Sequence, residues 1–271
     1  MTDSFVEAPI PAVLRPWVVS MHGYRISGAR PGVHVGLPSG AGTLILALDT
    51  PLDLVGADGR HDRYDAVLAG VHSGPAHIHH DGYQHGIQVS LTPGGLSQLI
   101  GGPSAEVSGT SVDLAALIGP TARRLHEQVG GRPDWGGRFA AIVRTLFADP
   151  EPRREPRAEV AQAWRLLEAS RGRAAVRDVA REIGWSPRHL GEQFRREFGH
   201  TPKTTARVLR FGESHRLVAA GHPLAAAAAQ AGYADQSHLN REWLRMAGTS
   251  PTRWRHDDEL AFVQDGTTPA E

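Results

Sequence analysis

The sequence predicts an α+β chain, with a β-rich N-terminal domain of jelly-roll type flanked by helices and an all-helical C-terminal domain. Three observations predict it. Up to about residue 92 the apolar residues come in short or alternating runs bounded by Gly, Pro and Asp. Beyond that point the apolar period becomes helical. Basic charge then concentrates late: residues 151–256 carry 19 Lys and Arg against 11 Asp and Glu, a net of +8, while residues 1–150 carry 10 against 13 and residues 257–271 none against 5.

The β-rich part is read from VHVGLP, GTLILALDTPLDLVG, YDAVLAGVHSG and QHGIQVSLTP. In the last, His85, Ile87, Val89 and Leu91 share one strand face and Gln84, Gln88 and Ser90 the other. Several short strands at this spacing suit a sandwich, barrel or jelly roll. PGGLSQLIG then reads as a short helix opened by proline. SVDLAALIGPTARRLHEQVGG puts Leu114, Leu117, Ile118, Ala122 and Leu125 on one helical stripe, with Pro120 placed to kink or divide it. DWGGRFAAIVRTLFADP starts at an Asp cap, and its stripe is Phe139, Ile142, Val143, Leu146 and Phe147. The expected organisation is a sensor or dimerisation domain over 1–148, a Pro-rich charged linker over 149–157, a helical domain over 158–256 and an acidic tail over 257–271 whose LAFVQ can dock on the protein.

Composition narrows the function. The 271 residues contain no cysteine, which excludes disulfides, thiolate metal sites, cysteine nucleophiles and a methyl-accepting thiolate. No run of 18 apolar residues suits a membrane span, and the first residues lack the pattern of a secretion signal. A cytoplasmic protein is the expectation. The basic block implies an anionic partner.

That block contains a repeat. VRDVAREIGWSPRHLGEQFRREFGHTP (176–202) aligns with LAAAAAQAGYADQSHLNREWLRMAGTSP (224–251). Ala180, Gly184 and Trp185 match Ala228, Gly232 and Tyr233. After one inserted residue, His189, Leu190, Phe194, Arg196, Gly199 and Pro202 match His238, Leu239, Trp243, Arg245, Gly248 and Pro251. Each copy reads as a helix, a glycine turn in positive φ and a second helix. On a helical wheel, Leu190, Phe194 and Phe198 face inward, with Arg188, His189, Glu192, Arg195 and Arg196 opposite. In the second copy Leu239, Trp243 and Met246 face inward, with Ser237, His238, Arg241, Leu244 and Arg245 opposite. An ordinary solvated face is the plainer explanation of such positions; their arginine content and their repetition argue for contact with an anion. TPKTTARVLRFGESHRLVAAG, between the copies, reads as one long helix whose Val208, Leu209, Phe211, Leu217 and Val218 pack on both.

Residues 160–256 resemble the DNA-binding domain of the AraC/XylS transcription regulators, most specifically through AGYADQSHLNREWLRMAGTSPTRWR. Trp243, Met246 and the alanine run 225–229 depart mildly from that pattern. The resemblance implies two helix-turn-helix units, joined by a long helix, in two adjacent major grooves of double-stranded promoter DNA. By position it implies base contacts from Arg188, Glu192 and Arg195 in the first unit, beside the bare Gly191. In the second unit it implies base contacts from Gln236, Ser237, Asn240 and Arg241. Ser186, His189, Arg196, Lys203, Arg245 and Thr249 are the implied phosphate contacts. The N-terminal half resembles, more weakly, the jelly-roll sensor domains that precede this domain in many regulators. A small-molecule effector, a second copy of the chain and RNA polymerase are then partners, with no membrane, no cofactor and no catalytic residue.

GVHSGPAHIHHDGYQHG, which holds five of the 15 histidines, leaves an alternative open. His77 and His79 followed by Gln84 resemble the first metal motif of cupins, without a matching second motif. A cupin-like metal-binding protein or enzyme with a DNA-binding appendage is that alternative, with His77 and His79 its candidate ligands.

Overall fold

The computed structural model describes residues 4–149 and 151–257. Among the described residues ten antiparallel strands form two facing sheets. The larger takes the order β1-β2-β9-β4-β7-β10, from β1 (Ser4–Glu7), β2 (Val18–Ser27), β4 (Gly42–Ala47), β7 (Ala66–Ala69), β9 (Tyr83–Leu91) and β10 (Ser111–Asp113). The smaller takes the order β3-β8-β5-β6, from β3 (Gly32–Gly36), β5 (Leu52–Val55), β6 (His61–Tyr64) and β8 (Ala76–His80).

Alternation along the central strands gives the large sheet two different faces. Leu44, Leu46, Leu68, Ile87, Val89 and Leu91 lie in one buried cluster with helices α1 (Pro93–Ile100), α2 (Leu114–Ile118), α3 (Pro120–Gly130) and α4 (Trp135–Leu146). Ile45, Val67, Leu54 and Ile78 form the second cluster, between the sheets. The helices begin where their caps demand. Thr92 accepts from Gly95 N–H before the Pro93 that opens α1, and Asp134 accepts from Gly137 N–H to open α4. The stripe over 114–125 runs across two helices, since Gly119 at φ 57° and Pro120 break it.

The C-terminal half contains only helices and their connections among its described residues: α5 (Ala158–Ala169), α6 (Val176–Glu182), α7 (Pro187–Phe198), α8 (Pro202–Ala219), α9 (Leu224–Gln230), α10 (Gln236–Ala247) and α11 (Pro251–Asp257). Two cores divide it. Val160, Trp164, Leu167, Leu190, Phe194 and Phe198 fill the first. Val208, Phe211, Leu217, Val218, Tyr233, Leu239, Trp243 and Trp254 fill the second. The connector α8, about 27 Å long at 1.5 Å per residue, serves them unequally. All its large buried residues join the second core, and Ala206 with Leu209 meets the first.

The halves are in contact. Leu37, after β3, belongs to the second helical core. His200 Nε2 donates to the Val71 carbonyl at 2.8 Å, and Ser104 Oγ donates to the Glu197 carbonyl at 3.2 Å. The Glu197 carboxylate, 8% exposed, is clasped by Arg154, with one of the two bonds at 2.6 Å. Nothing in the local pattern announced these contacts.

Candidate nucleic-acid interface

The two helix-turn-helix units repeat one set of backbone bonds. Gly184 at φ 76° and Gly232 at φ 81° close the first helices. Behind them Trp185 N–H donates to the Ala180 carbonyl and Tyr233 N–H to the Ala228 carbonyl, both at 2.9 Å. This six-to-one bond requires a left-handed residue, which glycine adopts without steric cost. Ala180 and Ala228 are buried at the crossings. Ser186 then accepts from His189 N–H at 3.2 Å, and Asp235 from His238 N–H at 2.6 Å. Even the rings match: His189 stands edge-on to Trp185 and His238 edge-on to Tyr233.

These caps orient the second helices so that Leu190, Phe194, Leu239 and Trp243 are fully buried. Arg188, Glu192, Arg195, Gln236, Ser237 and Arg241 are then exposed, and Asn240 is half-buried. The exposed residues are accessible together as two polar rows. Within the first row Arg188 Nε donates to Glu192 Oε1 at 3.1 Å, so Glu192 orients a guanidinium as well as offering an acceptor. Asn240 differs from the expectation in one respect: its Oδ1 is buried without a hydrogen-bond partner, which turns the acceptor half of the amide inward.

Among the residues assigned to phosphate, Arg196 and Lys203 are exposed and His189 is half-buried. The Ser186 hydroxyl already accepts the cap bond. Arg245 donates to Glu242 at 2.9 Å, and Thr249 Oγ1 is buried without a partner. Arg241 and Lys203 are exposed and, unlike Arg245, are held by no carboxylate among the described residues. A feature missed in the sequence is Glu242, 5% exposed, which ties α10 to α8 through Arg207 Nε at 3.0 Å. Contacts 35 residues apart leave no trace in helical spacing.

Burial pushes the Glu242 carboxyl upward, but the hydrogen bonds and charge of Arg207, then of Arg245, hold it below the usual carboxylate value. The Arg216 and Arg171 guanidiniums lower Glu213 on α8 in the same direction. A lowered folded-state value means stability that is complete above the unfolded carboxylate range and lost as pH falls through the lowered value. Thermal unfolding is therefore expected to be flat from pH 7 to about pH 5 and to weaken progressively below about pH 4. Glu242→Gln should flatten that acid limb, and an unchanged limb in both Glu242→Gln and Glu213→Gln would remove the pairs from the explanation.

The histidine cluster is dispersed by the sandwich. Ile78 is buried between the sheets, so His77 and His79 alternate to the outer face of β8. There His79 lies beside His61, which bonds Asp53 at 2.7 Å. Among the described residues no group of three or more His, Asp or Glu is arranged to hold a metal ion. His85 faces the helices. Its Nδ1 donates to Asp49 at 2.7 Å and its Nε2 accepts from Arg138 at 3.1 Å, since a guanidinium can only donate.

Comparison with known proteins agrees with this geometry. Residues 179–257 match a sequence family described as "Helix-turn-helix domain". The C-terminal domain is an AraC-type helix-turn-helix domain. Both units described above contribute to it, and domains of this type bind DNA in transcription regulators. The two-domain fold is similar to that of ToxT from Vibrio cholerae O395, with a TM-score of 0.54 at 11% identity over 91% of this chain and 99% of that one. A structure of unsaturated fatty acid bound wild-type ToxT, strain SCE256, gives 0.53 at 10% identity, covering 93% and 98%. ToxT bound to (E)-4-(8-methylnaphthalen-1-yl)but-3-enoic acid gives 0.54 at 9%, covering 86% and 97%. No curated protein matches the sequence. Among the described residues no helix is long and apolar enough to cross a membrane.

Proposed function

We propose that the protein is a sequence-specific transcription regulator. Its AraC-type domain reads two adjacent major grooves, and its sandwich takes up a small-molecule effector. The observation that carries the DNA reading is the duplicated unit: the same caps, glycine turns and buried anchors set two polar rows on one rigid connector. Arg188, Arg195 and Arg241 suit guanine and Gln236 suits adenine, while Lys203 and Arg196 engage phosphate. Binding alone accounts for these residues, without catalysis.

Two spaces in the sandwich support the effector reading. A cleft of about 480 Å³ is lined by polar groups including His80, Tyr83, Gln84 and Arg63. A smaller apolar cavity, about 60 Å³, is lined by Leu37, Ile45, Leu54, Val67 and Ile78, with Gln88 and His72 among its polar groups. Leu37 also belongs to the second helical core. An occupant that moved Leu37 would act on the reading domain directly. The solved ToxT complexes hold an unsaturated fatty acid and (E)-4-(8-methylnaphthalen-1-yl)but-3-enoic acid, which supports a small-molecule effector for this sandwich.

Competition binding tests the DNA reading. Random DNA should displace a bound promoter fragment from this chain at least a thousandfold less well than the specific site does, at physiological salt. Equal displacement would make the protein a general DNA binder. Arg241→Ala should cost about 1–3 kcal/mol and relax preference at one base pair. Lys203→Ala should weaken all duplexes alike and reduce the salt slope by about one. An equal loss on every sequence for Arg241→Ala would remove it from base reading.

A further inference from the structure

In the repeat Gly199 matches Gly248, and these glycines end the two reading helices, α7 and α10, at φ 77° and φ 70°. The sandwich touches both. A Cβ at Gly199 would lie 2.3 Å from the Ser108 Cβ, and one at Gly248 would lie 3.9 Å from the Pro75 Cγ. Around the first point His200 Nε2 donates to the Val71 carbonyl at 2.8 Å, and Ser104 Oγ donates to the Glu197 carbonyl at 3.2 Å. On the side of the second unit, Leu37 is buried within its core. Val71 and Pro75 belong to one loop, residues 70–75, which joins β7 to β8. The loop is thus tied near one end to the first unit and rests at the other on the second. The helices alone join the units more sparingly. Among the described residues the two helical cores have no member in common, and α8 gives the first core only Ala206 and Leu209. The tail expected over 257–271 lies, past Asp257, outside the described residues, and these contacts involve none of it.

We propose that the sandwich grips the C-terminal ends of both reading helices at once and fixes their separation, so that it selects DNA by the spacing between two half-sites. This rests on the DNA reading proposed above. One inserted base pair moves a half-site about 3.4 Å along the duplex and turns it about 35° around the axis. Two helices held at one separation cannot follow both changes, and one of them leaves its groove. Two helices joined by the connector alone can shift relative to each other and follow. The fixed separation also reduces the freedom lost on binding, which strengthens the one spacing that it fits. Leu37, Pro75, Ser104 and His200 are positioning residues: they act through the helices they hold.

The test uses the full chain, a random-sequence 40-base-pair duplex library and two variants that release opposite ends of the grip. Ser104→Ala with His200→Ala frees the first unit, and Leu37→Ala with Pro75→Ala frees the second. A site selected by the native chain is rebuilt with one base pair inserted between its halves. The native chain should bind the rebuilt site about tenfold more weakly or worse, and each variant less than about threefold more weakly. An equal penalty in all three chains overturns the proposal. A second measurement needs no DNA. The chain has no cysteine, so Arg181→Cys on α6 and Gln230→Cys on α9, both at exposed positions, accept one nitroxide in each unit. The distance between the labels should be narrowly distributed in the native chain and broader in a released chain that still melts cooperatively. Distributions of equal width overturn the grip. If the native chain selects no site, the DNA reading falls, and the label distances alone decide whether the sandwich holds the two units together.

Discussion

Replacing Trp243 with alanine is expected to cost about 3–5 kcal/mol of stability and to abolish DNA binding at 37 °C. Trp243 is fully buried on α10, the reading helix of the second unit. Its ring meets Phe211 at 5.2 Å and Trp254 at 5.6 Å, which join α8 and α11 to α10. Its Nε1 donates to Ser214 Oγ at 3.0 Å inside the core. Alanine removes the ring, leaves a cavity among residues that cannot collapse freely, and takes away a partner of a buried hydroxyl. The exposed row of Gln236, Ser237 and Arg241 then loses the anchor that orients it. Denaturant unfolding with duplex titration checks this. A loss under about 1 kcal/mol would show that the ring is not the keystone of that unit.

Gly172→Ala is expected to destabilise by about 2–4 kcal/mol, although it adds one methyl group. Gly172 sits at φ 73° after α5, a conformation that L residues adopt at a cost. A Cβ there would also lie 2.1 Å from the Ala206 carbonyl oxygen on α8, so the turn would have to leave the connector. The same substitution at Gly191 has the opposite sign. Gly191 is inside α7, and an added Cβ meets nothing within 4 Å. Gly191→Ala should therefore stabilise by about 0.5–1 kcal/mol through helix propensity. Thermal melts of the two variants, side by side, give the check. Destabilisation by both, or by neither, would contradict the placement of these glycines.

Such opposed effects mark how far the sequence can be read. Both units and their glycine turns were legible because each depends on residues within one or two helical turns; the caps at Ser186 and Asp235 are equally local. Ser186 with His189 and Asp235 with His238 are three apart, and the Ala180–Trp185 and Ala228–Tyr233 bonds are five apart. The alternation in β9 was legible for the same reason, since side chains on a strand change face at every residue. The connector's unequal service to the two cores was not, although its length was. Periodicity shows that Val208, Phe211, Leu217 and Val218 need burial, not which unit buries them.

The sequence by itself determined the α+β class and the pair of helix-turn-helix units, including which residues each reading helix turns outward. Capping, helical period and glycine conformation are local, so residue order is enough to decide them. Only the tertiary structure decided that Glu197 is clasped by Arg154, that Glu242 binds Arg207 and that Leu37 enters the second helical core. The same holds for the burial of Asn240 Oδ1 and the outer-face position of His77 and His79. These depend on chain segments brought together by burying surface, and the free energy of that burial depends on shape and neighbours that no local pattern encodes.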